Sequence, residues 1–147
     1  MNNATTNVSQ PVFDPIEQKK CDGYVVLENC LQEDFVRQHR TEFVKLDFRP
    51  EGGNHDLNRW NMHLPTTPLF LNEKLIAHPK VLEVIDAFSG LDSVVFIIAS
   101  DTPYPVSGFQ NIHQDFPRFG FTVNIPLVDF TEDNAPLEIW PGTHVKK

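Results

Sequence analysis

The chain has 147 residues, of which 40% are hydrophobic and 22% charged, and its formal net charge is -8 at pH 7. This length predicts about one domain with a real hydrophobic core, and the composition is that of an ordinary soluble globular protein. The acidic balance argues against a nucleic-acid partner, which requires a basic face. No apolar run approaches the roughly 20 residues that span a bilayer, and the N-terminus lacks the basic start and apolar stretch of a signal peptide. We therefore expect a cytoplasmic protein with no membrane partner.

The first third of the chain predicts a flexible lead, a short strand and a helix. Residues 1–15 are polar and aperiodic, so we expect them to be flexible. A short apolar run at 24–27 predicts a strand. Apolar residues then recur at helical spacing over Leu31–Leu46, and Asn29 is the expected N-cap. His39 lies on the apolar stripe of this helix and is predicted to be a packed core histidine, not a ligand.

The middle of the chain predicts a loop, a second helix and a buried strand. Residues 49–63 are rich in Gly, Asn and His, which is typical of a loop. Pro79 begins an apolar-periodic stretch that Gly90 ends, and this pattern predicts a helix with His78 at its N-terminal boundary. The uninterrupted apolar run at 94–99 indicates a strand buried on both faces.

The residues most suited to chemistry lie in the segment Gln110–Asp115. His113 and Asp115 are separated by one residue, so in an extended segment their side chains point to the same face. An imidazole and a carboxylate on one face supply two of the three ligands of the 2-His-1-carboxylate facial triad, which leaves open positions on Fe(II). So short a pattern also recurs by chance, and the alternative is that the two side chains hydrogen-bond to each other at a strand end.

Alternating hydrophobicity follows this segment. Phe121–Leu127 has the pattern of a strand with one face in a core. A polar turn at Thr131–Asn134 precedes a second short strand at Leu137–Trp140, and Pro141-Gly142 marks the next turn. Helices followed by closely spaced strands predict an α+β layout, mainly β with N-terminal helices, whose catalytic part is a β-sandwich.

The order of these C-terminal motifs resembles the phytanoyl-CoA dioxygenase family of non-haem Fe(II)/2-oxoglutarate oxygenases. The resemblance is carried by HQD, D-x-T-x-x-N-x-P-L and P-G-T-H, and more loosely by GYVVLENCLQEDFVRQH and RWNMHLP, so that it covers Asp22 to His144. It implies a double-stranded β-helix, which is a jelly roll of the cupin type, within a single family-like domain over residues 16–147. In RWNMHLP, it places Arg59, Trp60 and His63 at a pocket mouth; the alternative is a surface loop.

The resemblance also implies the chemistry. The family uses Fe(II), with 2-oxoglutarate as cosubstrate and O2, to hydroxylate a small-molecule substrate. His113 and Asp115 match the first two metal ligands and are the expected catalytic residues. Gln110, Gln114 and Asn124 lie where the family contacts the cosubstrate or orients the site. Asparagine at position 124 is a departure, because family members often carry an aromatic residue there.

Two groups of the family pattern are absent from the sequence. In the family, the second histidine ligand and the arginine that pairs with 2-oxoglutarate come well after the Pro-Gly-Thr-His element, whereas this chain ends at Lys147. His144 is the single histidine after Asp115, so it is the candidate third metal ligand in the usual order; its alternative role is a turn or pocket-rim residue. We expect a C-terminally truncated chain that holds the N-terminal part of the jelly roll, with an oligomer or partner covering the exposed half-barrel.

Three functions therefore stand open from the sequence. The first is an Fe(II)/2-oxoglutarate-dependent dioxygenase of the phytanoyl-CoA dioxygenase type. The second is a catalytically inactive family member that acts as a binding or interaction module. The third is a metal cupin that uses His113, Asp115 and His144 without 2-oxoglutarate.

Overall fold

The structure, a computed structural model, describes residues 13–46, 58–90, 92–115 and 120–145. The chain divides into two compact units. The smaller unit includes the described residues 13–26 and 140–145, and the larger unit spans Leu27–Ile139. Most of the predicted flexible lead, residues 1–12, lies outside the described residues. Within the described ranges, no helix combines the length and apolar character needed to cross a bilayer.

The smaller unit is built on helix α1, Pro15–Asp22. Asp14 caps its first turn, because its carboxylate accepts hydrogen bonds from the backbone N–H groups of Ile16 at 2.9 Å and Glu17 at 3.2 Å. Gly23 ends the helix in the left-handed conformation, with φ of 85°. The sequence pattern does not predict this helix, because α1 has few apolar residues and lacks a periodic apolar stripe.

The C-terminal segment of the smaller unit contacts the last turn of α1. The backbone N–H of Gly142 donates to the carbonyl of Asp22 at 2.8 Å, and His144 Nε2 donates to the carbonyl of Lys20 at 3.1 Å. Both acceptors are carbonyls that the end of a helix leaves without an intrahelical partner. The turn predicted at 141–142 is confirmed.

The larger unit contains helices, a two-stranded antiparallel sheet and a 3-10 turn. In chain order its described elements are helix α2 (Glu33–Phe43), strand β1 (Arg59–His63), helix α3 (Glu73–Ile76), helix α4 (Pro79–Ser89), strand β2 (Ala99–Pro103) and the 3-10 turn (Glu132–Asn134). The register pairs Asn61 of β1 with Asp101 of β2. An ion pair of 2.5 Å between Arg59 Nη2 and Asp101 Oδ2 also joins the two strands.

Helix α4 confirms the prediction made from its boundaries. Pro79 is its first residue, and Gly90 lies just past its end with φ of 77°. His78 is the N-cap, and its Nδ1 accepts a hydrogen bond from the backbone N–H of Lys80 at 3.3 Å. Val84 is one of the buried core residues of the chain, with 5% of its surface exposed. The helix signal was reliable here because the start, the apolar stripe and the end are all encoded locally.

Helix α2 is also present, but it is shorter than predicted. It starts after Gln32 and not after Asn29, because Asn29 adopts a left-handed φ of 54° in a turn before the helix. The prediction for His39 is confirmed, since only 2% of its surface is exposed. Its Nδ1 lies 2.7 Å from the carbonyl of Phe35, and its Nε2 lies 3.0 Å from the carbonyl of Leu69. The ring thereby links α2 to the segment before α3.

Several strand predictions are wrong. No strand forms at three of the predicted places, all of them within the described residues: 24–27, 121–127 and 137–140. The run 94–99 is not a buried strand either, because β2 begins at Ala99 and the side chains of Val94 and Phe96 are 86% and 84% exposed. Alternation shows which face of a strand could be buried, but a strand also needs a neighbour that receives its backbone hydrogen bonds.

The predicted loop at 49–63 is wrong in its last part, where Arg59–His63 forms β1; residues 47–57 lie outside the described residues. The sequence signal was misleading because β1 is polar on one face and pairs with a strand that is distant in sequence. The coarse class, helices together with an antiparallel sheet, agrees with the α+β prediction, but the described residues are not mainly β, because most of their regular structure is helical and their sheet has two strands. The jelly roll stays a prediction.

Candidate metal-binding site

The candidate metal ligands lie in an irregular segment that follows β2. His113 Nε2 and Asp115 Oδ1 are 3.5 Å apart, so the two side chains approach each other although their segment is not a strand. The two side chains are about half exposed, at 54% and 51%. An ion or a cosubstrate can therefore reach them from solvent.

One hydrogen bond orients the His113 ring. Its Nδ1 donates to the backbone carbonyl of Asn111 at 2.7 Å. In a neutral imidazole only one nitrogen carries a proton, so a proton on Nδ1 leaves the lone pair of Nε2 directed toward Asp115. Two electron-rich atoms at this distance are stabilised by a cation between them. That cation is a proton in an imidazolium–carboxylate pair, which is the alternative considered from the sequence, or a metal ion.

A second hydrogen bond holds the carboxylate of Asp115. Thr122 Oγ1 donates to Asp115 Oδ2 at 2.8 Å, whereas Oδ1 is the oxygen that faces His113. The segment that carries Thr122 is positioned by its neighbour Phe121, whose ring centroid lies 6.1 Å from that of Phe88 on α4. One carboxylate oxygen is thus engaged by the protein and the other is directed at the imidazole.

This geometry fits two ligands of one metal ion. With bonds of about 2.1 Å, two neighbouring ligand atoms are about 3.0 Å apart at a right angle and about 3.4 Å apart at the tetrahedral angle. The separation of 3.5 Å between His113 Nε2 and Asp115 Oδ1 is close to this range. Imidazole and carboxylate are also the donor types of the Fe(II) facial triad. No group of three His, Cys, Asp or Glu suited to a metal occurs within the described ranges, so the pair alone is the candidate there.

The other predicted site residues stay predictions. Gln110, Gln114 and Asn124 are exposed, which is compatible with contact to a cosubstrate. His144 belongs to the smaller unit, where its Nε2 donates to the carbonyl of Lys20.

The D-x-T-x-x-N motif forms a turn that is stabilised by its own side chains. The backbone N–H of Thr131 donates to Asn134 Oδ1 at 2.9 Å, and Asn134 Nδ2 donates to the carbonyl of Asp129 at 2.6 Å. Ala135 follows with a left-handed φ of 56°. The polar turn predicted at this place is confirmed, and the asparagine of the motif serves the backbone.

Strand β1 contributes His63 to an open, mainly apolar cavity of about 460 Å³. Its apolar walls include Leu64, Phe70, Leu71, Ile76 and Val95–Ile98. The two residues predicted beside His63 have other contacts. Arg59 pairs with Asp101, and the Trp60 ring meets Tyr104 edge-on, with 6.4 Å between the ring centroids.

Comparison with known proteins defines the class of this chain. The family model described as Phytanoyl-CoA dioxygenase (PhyH) matches residues 20–147. Because the match covers nearly the whole sequence, the chain belongs to the phytanoyl-CoA dioxygenase family. Members of this family are in general oxygenases that depend on Fe(II) and 2-oxoglutarate. No solved structure matches the chain.

Thr122 is the site residue that the sequence did not reveal. In the sequence it is one polar position of an alternating segment, and no spacing rule connects it to Asp115. Asn111 was missed as well, because it contributes a backbone carbonyl, a group that every residue has. No local sequence signal predicts the contact of Thr122 with Asp115 or that of the Asn111 carbonyl with His113.

Proposed function

We propose that the chain is a non-haem Fe(II)/2-oxoglutarate-dependent dioxygenase that hydroxylates a small-molecule substrate. The observation that carries the proposal is the 3.5 Å approach of His113 Nε2 to Asp115 Oδ1 in a member of a family of oxygenases. These two residues would hold Fe(II), which together with 2-oxoglutarate and O2 supplies the oxidant for a C–H bond. The proposal rests on donor chemistry and spacing, both of which suit this ion.

In this proposal the residues of the site bind the metal ion and orient the cosubstrate. His113 keeps Nε2 available because Nδ1 is engaged by a carbonyl, and Asp115 presents Oδ1 because Thr122 engages Oδ2. Gln110, Gln114 and Asn124 carry amide groups, and such groups can donate hydrogen bonds to the carboxylates of 2-oxoglutarate. In this proposal they hold the cosubstrate, while the exposed position of the pair admits a substrate from solvent.

The test is an anaerobic titration of the purified chain with Fe(II) and 2-oxoglutarate. A visible charge-transfer band is expected for the chelated complex, and it should disappear in His113→Ala. His63→Ala is the matched control, because it removes another exposed histidine, which belongs to β1. A folded wild-type chain without the band, or a band that survives in His113→Ala, contradicts the proposal. If the band behaves as expected, succinate formation coupled to substrate turnover would establish the reaction.

The exposed apolar surface favours a second candidate function, an inactive family member that acts as an interaction module. Val94, Phe96, Val106 and Phe109 are exposed by 84–99%. Large exposed apolar patches mark interaction sites in soluble proteins. A second copy or another protein would cover it. Sedimentation of the wild type and Phe96→Asp over a range of concentrations distinguishes self-association from a monomer.

His144→Ala separates both candidates from a metal cupin that works without 2-oxoglutarate. If His144 is the third ligand, metal affinity should fall in this variant with or without 2-oxoglutarate. If His144 only binds the carbonyl of Lys20, metal affinity should stay at the wild-type value while the smaller unit loses stability. Adding 2-oxoglutarate to the wild type completes the comparison, because a cosubstrate that chelates the metal should raise metal affinity.

A further inference from the structure

The two oxygens of the Asp115 carboxylate have different surroundings. Oδ2 accepts a hydrogen bond from Thr122 Oγ1 at 2.8 Å, and Oδ1 lies 3.5 Å from His113 Nε2. A carboxylate that is free to rotate can present either oxygen to a metal, or both at once. A hydrogen bond to one oxygen restricts this rotation and favours binding of a metal ion through the other oxygen.

We propose that Thr122 is the positioning residue of Asp115, and that it makes this carboxylate a one-oxygen metal ligand. This inference rests on the proposed function, because it needs a metal ion at Asp115. Carboxylates that bind metals are themselves held by hydrogen bonds, and these outer contacts tune metal affinity. A hydroxyl that donates to an ionised carboxylate forms a charge-assisted bond, which is stronger than a bond between neutral groups.

The side chain and the location of Thr122 both suit this role. Threonine is β-branched, so its χ1 angle has few accessible values and its hydroxyl is held more firmly than that of serine. The preceding residue, Phe121, packs its ring near Phe88 of α4, and this contact restrains the segment that carries the hydroxyl. Thr122 and Asp115 belong to the same compact unit, so their contact does not depend on the arrangement of the two units.

The experiment measures Mn(II) binding to the whole chain by the electron paramagnetic resonance signal of the free ion. Thr122→Val keeps the shape of the side chain and removes the hydroxyl, and it should weaken binding about 10- to 100-fold, as losses of outer contacts do. Thr122→Ser restores the hydroxyl and should recover most of the affinity. Thr41→Val is the control, because the Thr41 hydroxyl also donates a hydrogen bond, to the carbonyl of Arg37 at 2.9 Å, and its loss should leave Mn(II) binding unchanged.

A second readout follows the geometry of the site. The visible spectrum of bound Co(II) depends on the arrangement of its ligands, so Thr122→Val at saturating metal should give a different spectrum from the wild type, and Thr122→Ser should restore it. A residue that only supported the fold would leave the spectrum of the bound metal unchanged.

The outcomes separate this inference from the proposed function. If Thr122→Val binds Mn(II) as the wild type does and His113→Ala does not bind, the role of Thr122 is refuted and the metal site stands. The role is also refuted if Thr122→Ser is as weak as Thr122→Val, because the hydroxyl is then not the cause. A folded wild-type chain that binds no Mn(II) refutes both.

Discussion

Replacing Gly23 by alanine tests how the C-terminal segment is held against α1. Gly23 has φ of 85°, and a Cβ atom built on it would lie 2.4 Å from His144 Nδ1 and 2.6 Å from its Cγ. Real Cβ contacts are essentially never this short, so the imidazole would have to move. Because the same ring donates from Nε2 to the carbonyl of Lys20 at 3.1 Å, we expect the movement to break that hydrogen bond.

The free-energy cost of Gly23→Ala has two parts. The left-handed conformation costs a residue with a side chain about 1–2 kcal/mol. The lost hydrogen bond adds about 1 kcal/mol, so the smaller unit should lose about 2–3 kcal/mol of stability. Gly142→Ala is the matched control, since Gly142 has φ of 74° and no atom within 4 Å of the position its Cβ would take. The control should lose the conformational part alone.

Amide hydrogen exchange of α1, together with urea unfolding, measures these losses. Gly23→Ala should speed exchange in Pro15–Asp22 more than Gly142→Ala does. In the background of His144→Ala the ring is gone and the Cβ atom of residue 144, 2.9 Å from the built Cβ, is the one close neighbour that stays, so Gly23→Ala should cost less than it does in the wild type and the double-mutant cycle should show coupling. Equal costs for the two glycine substitutions, or additive effects of Gly23→Ala and His144→Ala, would refute the proposed contact.

Three further predictions concern stability and pH. Val106 has a left-handed φ of 60° in a turn in which the backbone N–H of Ser107 donates to the carbonyl of Tyr104. Val106→Gly should therefore raise the free energy of unfolding in urea by about 1 kcal/mol, and a free energy of unfolding below that of the wild type would contradict a strained turn. His39→Ala should lower it by about 2–4 kcal/mol, because packing is lost and the ring no longer joins the carbonyls of Phe35 and Leu69, and a loss below about 1 kcal/mol would show that the site is easily rearranged. Burial lowers the pKa of Lys19 below 10.5, so between that lowered pKa and 10.5 the unfolded chain binds more protons than the folded one. The stability of the wild type relative to Lys19→Met should therefore rise with pH through this window, and a constant difference would contradict the effect of burial.

The helices show how far local sequence signals reach. Helix α4 was predicted at both ends because Pro79 and Gly90 act within one turn of the helix. Helix α1 was missed because its stability comes from the Asp14 cap and from contacts with the C-terminal segment, which is distant in the sequence. Strand predictions were less successful for the same reason, since the pairing of β1 with β2 joins residues about 40 positions apart.

The contacts of the candidate site also differ in whether they could be predicted from nearby residues in the sequence. The approach of His113 and Asp115 was predictable, because residues two positions apart stay close in any extended backbone. The contact of Asp115 with Thr122 was not, because no spacing rule brings together residues seven positions apart outside a regular element. The family resemblance was carried by motifs whose roles differ: HQD carries the proposed ligands, whereas Asn134 stabilises a turn.

The exposed apolar segment Val94–Ile97 has a consequence for the behaviour of the chain in concentrated solution. It carries no charge, and short apolar β-prone segments of this kind promote aggregation when they are accessible. Asp92 and Asp101 flank it, and the chain as a whole carries a net charge of -8, so copies repel one another at low ionic strength. Salt shortens the range of this repulsion from about 10 Å at 0.1 M to about 3 Å at 1 M. The chain should therefore stay dispersed in dilute buffer and scatter light increasingly as salt is added.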